Sequence, residues 1–400
     1  MSLNRQTFDQ VMVPSYQPAD FVPVRGQGSR VWDRRGRELI DFAGGIAVTV
    51  LGHAHPALVS ALSAQAGQLW HLSNVMTNEP ALALAQKLVA NTFAERVFFC
   101  NSGAEANEAA FKLARRWGNT QRAGKNRIVA FHNAFHGRTL FTVSVGGQPK
   151  YTEGFEPLPG QISHVPFNDL AALKAAMGED VCAVVVEPIQ GEGGVMPADP
   201  AFLRGVSALC CEHRALLIFD EVQSGNGRTG SLYAYQQTDV VPDVLTTAKG
   251  LGGGFPIGAM LTTAALAQTL SVGTHGSTYG GNPLGCAVAG AVLDELLRPE
   301  LMANVRARSA QLVEGLSAIG ARHGVFEPAR GRGLLLGAPM RPAWKGRARD
   351  VMNAALAQGL WLLIAGPDVL RLAPALNIGE ADVREGLARL DAACASLAAA

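Results

Sequence analysis

Charge is sparse in this chain and nearly balanced. Charged residues make up 17% of its 400 positions, and 34 lysines and arginines face 33 aspartates and glutamates, a formal net charge of +1. Such a balance provides no field to gather nucleic acid or an anionic membrane, so an acidic substrate has to be held by a few placed arginines. No long hydrophobic run occurs. The stretch from Leu39 to Gly52 is short and carries Asp41, which excludes a bilayer span. The opening Met-Ser-Leu-Asn-Arg-Gln-Thr-Phe-Asp lacks the apolar segment of a signal peptide. The six cysteines (Cys100, Cys182, Cys210, Cys211, Cys286 and Cys394) form no CxxC pair and no disulfide framework. Reduced thiols in a cytoplasmic protein are the expectation. There is no internal repeat, and low complexity is confined to the Ala-rich tail.

Apolar material, by contrast, is ample at 48%. A chain this long exceeds one ordinary core and predicts two or three domains. Its middle repeats one pattern: a short apolar run that ends in polar residues and leads into a helix-like stretch. Arg96–Cys100 runs into N-S-G-A-E-A-N-E, Arg127–Phe131 into H-N-A-F-H-G-R, 181–186 into E-P-I-Q-G-E-G-G, and 216–219 into D-E-V-Q. Continuous apolar strands alternating with helices predict a mainly parallel sheet covered on both faces. Ligands then bind beyond the carboxyl ends of the strands, where the polar tails converge. The ends read differently. Residues 1–60 suggest short strands joined by glycine turns, and after about Gly285 a long helical stretch precedes R-G-R-G-L-L-L-G, V-L-R-L-A-P-A-L and a helical tail. We therefore expect an N-terminal segment (1–60) joining a small α+β domain (291–400), with a large domain over 61–290.

Four polar segments bear on chemistry. In Asn101-Ser102-Gly103-Ala104-Glu105-Ala106, small residues follow a buried strand and open a helix, which makes an anion cradle or simply a tight turn. Asp220 and Glu221 end an apolar strand, where a buried carboxylate needs a partner. A protonated pyridine nitrogen is one partner; a metal or an ordinary ion pair is another. Gln223 lies two positions beyond Glu221. Lys249 follows the run Pro242 to Leu245 and precedes a glycine-rich loop, a setting in which a shielded lysine becomes a nucleophile or base. Gly276-Ser277-Thr278-Tyr279-Gly280 offers hydroxyls to a phosphate, or is a plain turn. Together they supply a phosphate cradle, an acid for a ring nitrogen, an imine-forming lysine and a hydroxyl loop, the set that pyridoxal phosphate needs.

These residues, with D-F-A-G-G-I-A-V (41–48), L-G-H-A-H-P (51–56), N-A-F-H-G-R-T-L (133–140), E-P-I-Q-G-E-G-G-V (187–195) and L-A-P-A-L-N (372–377), resemble the class III aminotransferases of fold type I over nearly the whole chain. Within them the acetylornithine/succinylornithine branch is the nearest match. The resemblance implies pyridoxal 5'-phosphate held by Lys249 as an imine, with Lys249 also shuttling the proton. It implies Asp220 on the ring nitrogen, Gln223 on the phenolic oxygen, Phe135 and Val222 on the two ring faces, and Ser102, Gly103 and Ala104 on the phosphate. Thr278 would reach the phosphate of a neighbouring subunit, making a homodimer. Arg138, with Ser277 near it, would grip a substrate carboxylate. Arg371 would grip the keto acid, and Glu192 would pair with Arg371 when that site must stay closed.

The implied reaction moves the distal amino group of N-acetylornithine or N-succinylornithine to 2-oxoglutarate, in arginine synthesis or breakdown. Free ornithine or 4-aminobutyrate is the alternative donor. Two departures from the family stand out: the loop S-G-N-G-R-T-G after Gln223, and Gly250 after the lysine. Gly225 to Gly230 also fits G-x-G-x-x-G, but no clear helix follows, so a nicotinamide-dinucleotide enzyme is the weaker reading. His53, His55, His132 and His136 lack a third partner at metal-site spacing and read as turn or core residues, with no metal expected.

Overall fold

The computed structural model describes residues 3–398; Met1 and Ser2 of the opening segment and the last two alanines of the tail lie outside the described residues. A seven-stranded sheet forms the centre. Its order is Arg96–Cys100, Gly258–Thr262, Val244–Thr247, Leu216–Asp220, Val181–Val186, Arg127–Phe131, Ile162–Val165. The last five are mutually parallel, and Gly258–Thr262 runs antiparallel to both its neighbours. All-buried runs such as Val181–Val186 and Leu216–Asp220 become inner strands because helices cover both faces. The helix Gly103–Gln121 packs on one face through Ala109, Ala110, Phe111, Leu113 and Ala114. Pro200–Glu212 packs with Phe202, Leu203 and Val206 in the main core.

The segment after Gln223 makes turns and then a short 3-10 helix, Ala234–Gln237. It is therefore not the strand-turn-helix of a dinucleotide site. Its Arg228 is fully buried, and Nη1 donates to the carbonyls of Leu334 (3.0 Å) and Pro374, tying the loop to the C-terminal part of the chain.

Two further four-stranded sheets flank the centre. Pro23–Gln27, Arg30–Asp33 and Glu38–Asp41 join Leu360–Trp361, so the first strands pair with residues more than 300 positions away. Arg330–Arg332, Leu335–Pro339, Val369–Leu372 and Leu363–Ile364 form the other, which carries Arg371. The long helical stretch expected after Gly285 is two helices, Pro283–Leu296 and Pro299–His323. Each begins with a proline, whose missing N–H costs nothing at a helix start. Among the described residues no helix is long and apolar enough to cross a membrane.

Candidate active site

The carboxyl ends of the parallel strands open into a cavity of about 440 Å³. Among its walls are Ser102, Gly103, Ala104, Phe135, Arg138, Asp220, Val222, Gln223 and Lys249, nine of the thirteen residues expected from sequence. Glu192 and Arg371 sit behind Gln223 and reach the cavity through it. Ser277 and Thr278 are not among the walls: Ser277 Oγ accepts from Nδ2 of the wall residue Asn101 and from the Gly280 N–H, both at 3.1 Å, so it sits at the cavity's edge, and Thr278 is exposed.

One end of the cavity is the start of helix Gly103–Gln121. Ser102 caps it by accepting the Glu105 N–H at 3.2 Å. The first N–H groups have no helical partner and face the cavity with the positive end of the helix dipole. A side chain at position 103 is excluded, because a Cβ there would stand 2.7 Å from a Val222 methyl. The closeness of Val222 thus explains why glycine opens the helix.

The floor is Asp220, 4% exposed at the end of its strand. Its Oδ2 accepts from His136 Nδ1–H at 2.7 Å and Asn107 Nδ2–H at 2.8 Å, and its Oδ1 from the Val222 N–H at 3.0 Å. Asn107 is fixed in turn by donating to the His136 carbonyl (2.8 Å) and accepting from Thr246 Oγ1 (2.7 Å). Neither Asn107 nor His136 was singled out as a site residue by the sequence. Asn107 was detectable, lying one helical turn past Gly103 on the same face. Glu221, the second carboxylate of the pair, points away: Tyr235 N–H, Ala234 N–H and Ser224 Oγ hold it, and burial pushes its carboxyl up to about 7.

Glu187 is a third buried carboxyl, and no local pattern in the sequence marks it. Its Oε2 has no hydrogen-bond partner, and it clusters with His136 and Asp220 so that their ligand atoms lie within 4.8 Å of one another. Burial, then the neighbouring Asp220, pushes its carboxyl well above the ordinary range, which favours the protonated form.

Lys249 opens from a short 3-10 turn with φ +41°, an uncommon conformation for a side-chain-bearing residue. Burial lowers the pKa of its amine, Glu192 opposes the shift and Arg371 adds to it. A lowered value favours the neutral, nucleophilic amine. The two departures in the surrounding sequence touch each other. Asn226 donates to Thr247 Oγ1 (2.9 Å) and to the Ala248 carbonyl (3.1 Å) beside Lys249. A Cβ on Gly250 would fall 2.8 Å from the Asn226 Cβ and 2.7 Å from a Val50 methyl. Gly250→Ala should therefore destabilise the protein by about 1–3 kcal/mol through overpacking. Val50→Ala in the same chain should return part of that loss. Thermal melts of the three variants measure it, and a neutral Gly250→Ala would show that the loop shifts freely.

At the mouth, Phe135 meets Tyr151 edge-on at 5.9 Å, and the exposed Arg138 guanidinium lies 3.8 Å from the Tyr151 ring centroid. Tyr151 carries no signal in the sequence; it ends the short 3-10 helix Pro149–Tyr151 and orients Arg138 as a cation on a ring face. Behind Gln223, Arg371 is 2% exposed on its strand, and its Nη1 meets Glu192 Oε1 at 2.5 Å. Burial pushes Glu192 up, but the Arg371 charge and hydrogen bond outweigh it and hold the carboxyl below its usual value.

A buried acid at the end of a central strand, a lysine and a helix N-terminus line one cavity at the carboxyl ends of the strands, where α/β enzymes bind their ligands. The model of the aminotransferase class-III family matches residues 11–394, and the chain belongs to that family. It is 64% identical to the acetylornithine aminotransferase of Pseudomonas putida, over 99% of this chain and 98% of that one. Identity to the succinylornithine transaminase/acetylornithine aminotransferase of Pseudomonas aeruginosa is 62%, with the same coverage. Among solved structures, N-acetylornithine aminotransferase from Stenotrophomonas maltophilia superposes with a TM-score of 0.87 at 48% identity, over 98% of this chain and 99% of that one. Ornithine aminotransferase from Toxoplasma gondii reaches 0.93 at 31% identity, over 98% and 94%. The fold is pyridoxal-phosphate-dependent transferase fold type I, and the chain is an aminotransferase.

Proposed function

We propose that the chain moves the distal amino group of N-acetylornithine, N-succinylornithine or both to 2-oxoglutarate, yielding the N-acyl glutamate semialdehyde and glutamate, in arginine metabolism. The observation that carries this reading is the pair of unequal carboxylate clamps. Arg138 stands free at the mouth, whereas Arg371 is neutralised by Glu192 at 2.5 Å. A donor whose reacting amine is remote from its carboxylate needs the first clamp and no charge at the second. Relatives at 58–64% identity bearing acetylornithine names support the choice. Comparing kcat/KM for N-acetylornithine, N-succinylornithine, ornithine and 4-aminobutyrate tests it; a preference for 4-aminobutyrate overturns it.

The residues fit pyridoxal phosphate. A helix start capped by Ser102, an oriented Asp220, an enclosed amine and the unpartnered His136 Nε2 and Glu187 Oε2 are what a polar, phosphorylated ring would complement. Ser102, Gly103 and Ala104 would hold its phosphate, Asp220 its ring nitrogen and Gln223 its phenolic oxygen, with Phe135 and Val222 against the faces. When bound, it supplies an aldehyde that condenses with amines and a ring that draws electrons from the adjoining carbon. Lys249 Nζ is both its covalent anchor and the base that takes and returns the proton at the carbon bearing the amino group. Asp220 keeps a proton on the ring nitrogen, and Arg138 fixes the α-carboxylate of the donor, with Ser277 near it.

The active unit in this reading is a homodimer. Trp70, Val75, Met76 and Tyr279 are 60–90% exposed. They form one surface, because Asn74 donates to the carbonyls of Ser277 (3.0 Å) and Gly280 (3.1 Å). A second copy covering that surface would bring Thr278 to the partner's phosphate. In this reading an N-terminal segment (1–60) joins a small domain (291–400) beside a large domain (61–290), and the free cysteines, five of them buried, support a cytoplasmic protein.

Opening of the Arg371–Glu192 pair would admit 2-oxoglutarate. Arg371→Ala should weaken the glutamate half-reaction by roughly 10- to 100-fold, the worth of one hydrogen bond to a charged group, and the acylornithine half-reaction less. Arg138→Ala should do the reverse. Glu192→Ala should improve glutamate relative to acylornithine. Single-turnover absorbance of each half-reaction measures all three, and equal losses in Arg371→Ala would make that residue structural only.

A further inference from the structure

Asn226 is 1% exposed and is not itself a wall of the cavity. Both of its donor hydrogens are used. Nδ2 donates to Thr247 Oγ1 at 2.9 Å and to the Ala248 carbonyl at 3.1 Å, on the two residues that precede Lys249. Its Oδ1, equally buried, has no partner. A buried oxygen without a donor costs free energy that an apolar side chain would avoid. What the position gains therefore lies at the donor end. The backbone suits the same residue: φ is +56°, a left-handed conformation that asparagine tolerates better than most. Gly250 leaves the room, since a Cβ there would meet the Asn226 Cβ at 2.8 Å.

Lys249 is itself left-handed at φ +41°, and such strain persists only where the surroundings enforce it. The Ala248 carbonyl and the Lys249 N–H belong to one planar peptide unit. Fixing the direction of that carbonyl therefore fixes the peptide plane, and with it φ of Lys249. Two donors fix it: the Leu251 N–H at 2.8 Å, which closes the 3-10 turn, and Asn226 Nδ2 from outside the turn. The Thr247 hydroxyl anchors the same amide to the strand Val244–Thr247. We propose that Asn226 is a positioning residue for Lys249, clamping the peptide plane ahead of the lysine so that the left-handed backbone aims Nζ into the cavity. It touches neither cofactor nor substrate. The proposal rests on the reading of Lys249 as anchor and base, and deepens it by naming what holds that amine in place.

Without the clamp only the Leu251 N–H opposes a turn of the peptide plane, and φ of Lys249 relaxes towards the ordinary negative region. The released side chain samples more directions, so fewer of its conformations present Nζ to the cofactor's aldehyde carbon. Its charge state changes as well. Burial holds the pKa of the amine below its ordinary value; Glu192 opposes the shift, Arg371 adds to it, and Asp220 and Glu187 oppose it. A lysine free to turn towards water regains the solvation of its charged form, so its pKa rises.

The test follows the capture of cofactor by the full chain stripped of it. Protein is mixed with pyridoxal phosphate and quenched at intervals with borohydride, which reduces the C=N bond that amine and aldehyde form with loss of water. Mass spectrometry of the Lys249 peptide gives the rate of capture, and its pH profile gives the midpoint at which the neutral amine appears. Asn226→Gly leaves the left-handed backbone unstrained and deletes both hydrogen bonds. Asn226→Leu deletes them while filling the space. Each should capture cofactor roughly threefold to tenfold more slowly at pH 7, the worth of one hydrogen bond, with the midpoint moved to higher pH. Thr247→Val, which removes one acceptor and leaves residue 226 intact, should show both changes in smaller measure. A merely structural role would lower the melting temperature and leave the midpoint in place. An unchanged rate or midpoint in any of these variants that folds overturns the proposal. Lys249→Ala run alongside separates the failures: if it still fixes cofactor at the native rate, the reading of Lys249 itself fails; if it does not, and the Asn226 variants match the native rate, only the role of Asn226 fails.

Discussion

Lys249→Ala should abolish turnover, a loss of about 10⁴-fold or more in kcat, while the protein still folds. The effect is large because one amine has two tasks, holding the cofactor and carrying the proton, and no other lysine is among the cavity residues. Folding should survive because the amine contributes no strong contact. Burial lowers its pKa, so between that lowered value and 10.5 the unfolded chain binds a proton that the folded one does not. Stability from this group therefore rises with pH across that window and is lowest below it. Lys249→Met, which keeps the volume and removes the charge, should melt higher than the unsubstituted apoprotein at pH 7, and the gap should narrow as pH rises towards 10.5. Multiple turnovers by Lys249→Ala at an appreciable rate would exclude the role. A gap that does not change with pH would exclude the electrostatic argument.

Much of this site can be read directly from the sequence, and the remainder was hidden for physical reasons. Arg96–Cys100, Arg127–Phe131 and Val181–Val186 fall where the apolar runs place them; Val181–Val186 is buried throughout because an inner strand is covered on both faces, whereas Arg96–Cys100 is a half-buried edge strand marked by V-F-F-C alone. Asp220, Lys249 and the Ser102–Ala104 turn stand at the ends of such strands, so locating the strands locates them. The direction of Gly258–Thr262 was not readable, since G-A-M-L-T looks the same either way. It runs antiparallel because the connection from Val244–Thr247, residues 248–257, holds only the 3-10 turn Lys249–Gly252 and no crossover α-helix. Asn107, His136 and Glu187 were hidden for another reason. Their role depends on side chains meeting Asp220 across 113, 84 and 33 positions of chain, which no local pattern encodes. Asn226 and Gly250 looked like two separate departures in the sequence; in space they are one fitted contact.

Asp220→Asn should cost roughly 10³-fold or more in kcat/KM, and the network around the residue says how the loss arises. Asp220 accepts three hydrogen bonds and donates none: two at Oδ2 from His136 and Asn107, one at Oδ1 from the Val222 N–H. An asparagine has one acceptor end and one donor end. Whichever way it turns, its NH₂ faces a donor, either the Val222 N–H or the His136–Asn107 pair, so the variant loses geometry as well as charge. Glu187 cannot take over, because burial disfavours its ionised form and its Oε2 has no hydrogen-bond donor. The charge itself is the larger part: a neutral amide cannot keep a proton on a ring nitrogen, and the ring then draws electrons poorly. His136→Phe provides the control. It removes one hydrogen bond to a charged group, for roughly 10- to 100-fold, and leaves the carboxylate in place. Asp220 serves both half-reactions alike, so its loss should be equal in the two, in contrast to the split expected for Arg371. Single-turnover rates with N-acetylornithine and with glutamate measure this, and a near-native rate in Asp220→Asn would make Asp220 a structural carboxylate and remove the ring from this position.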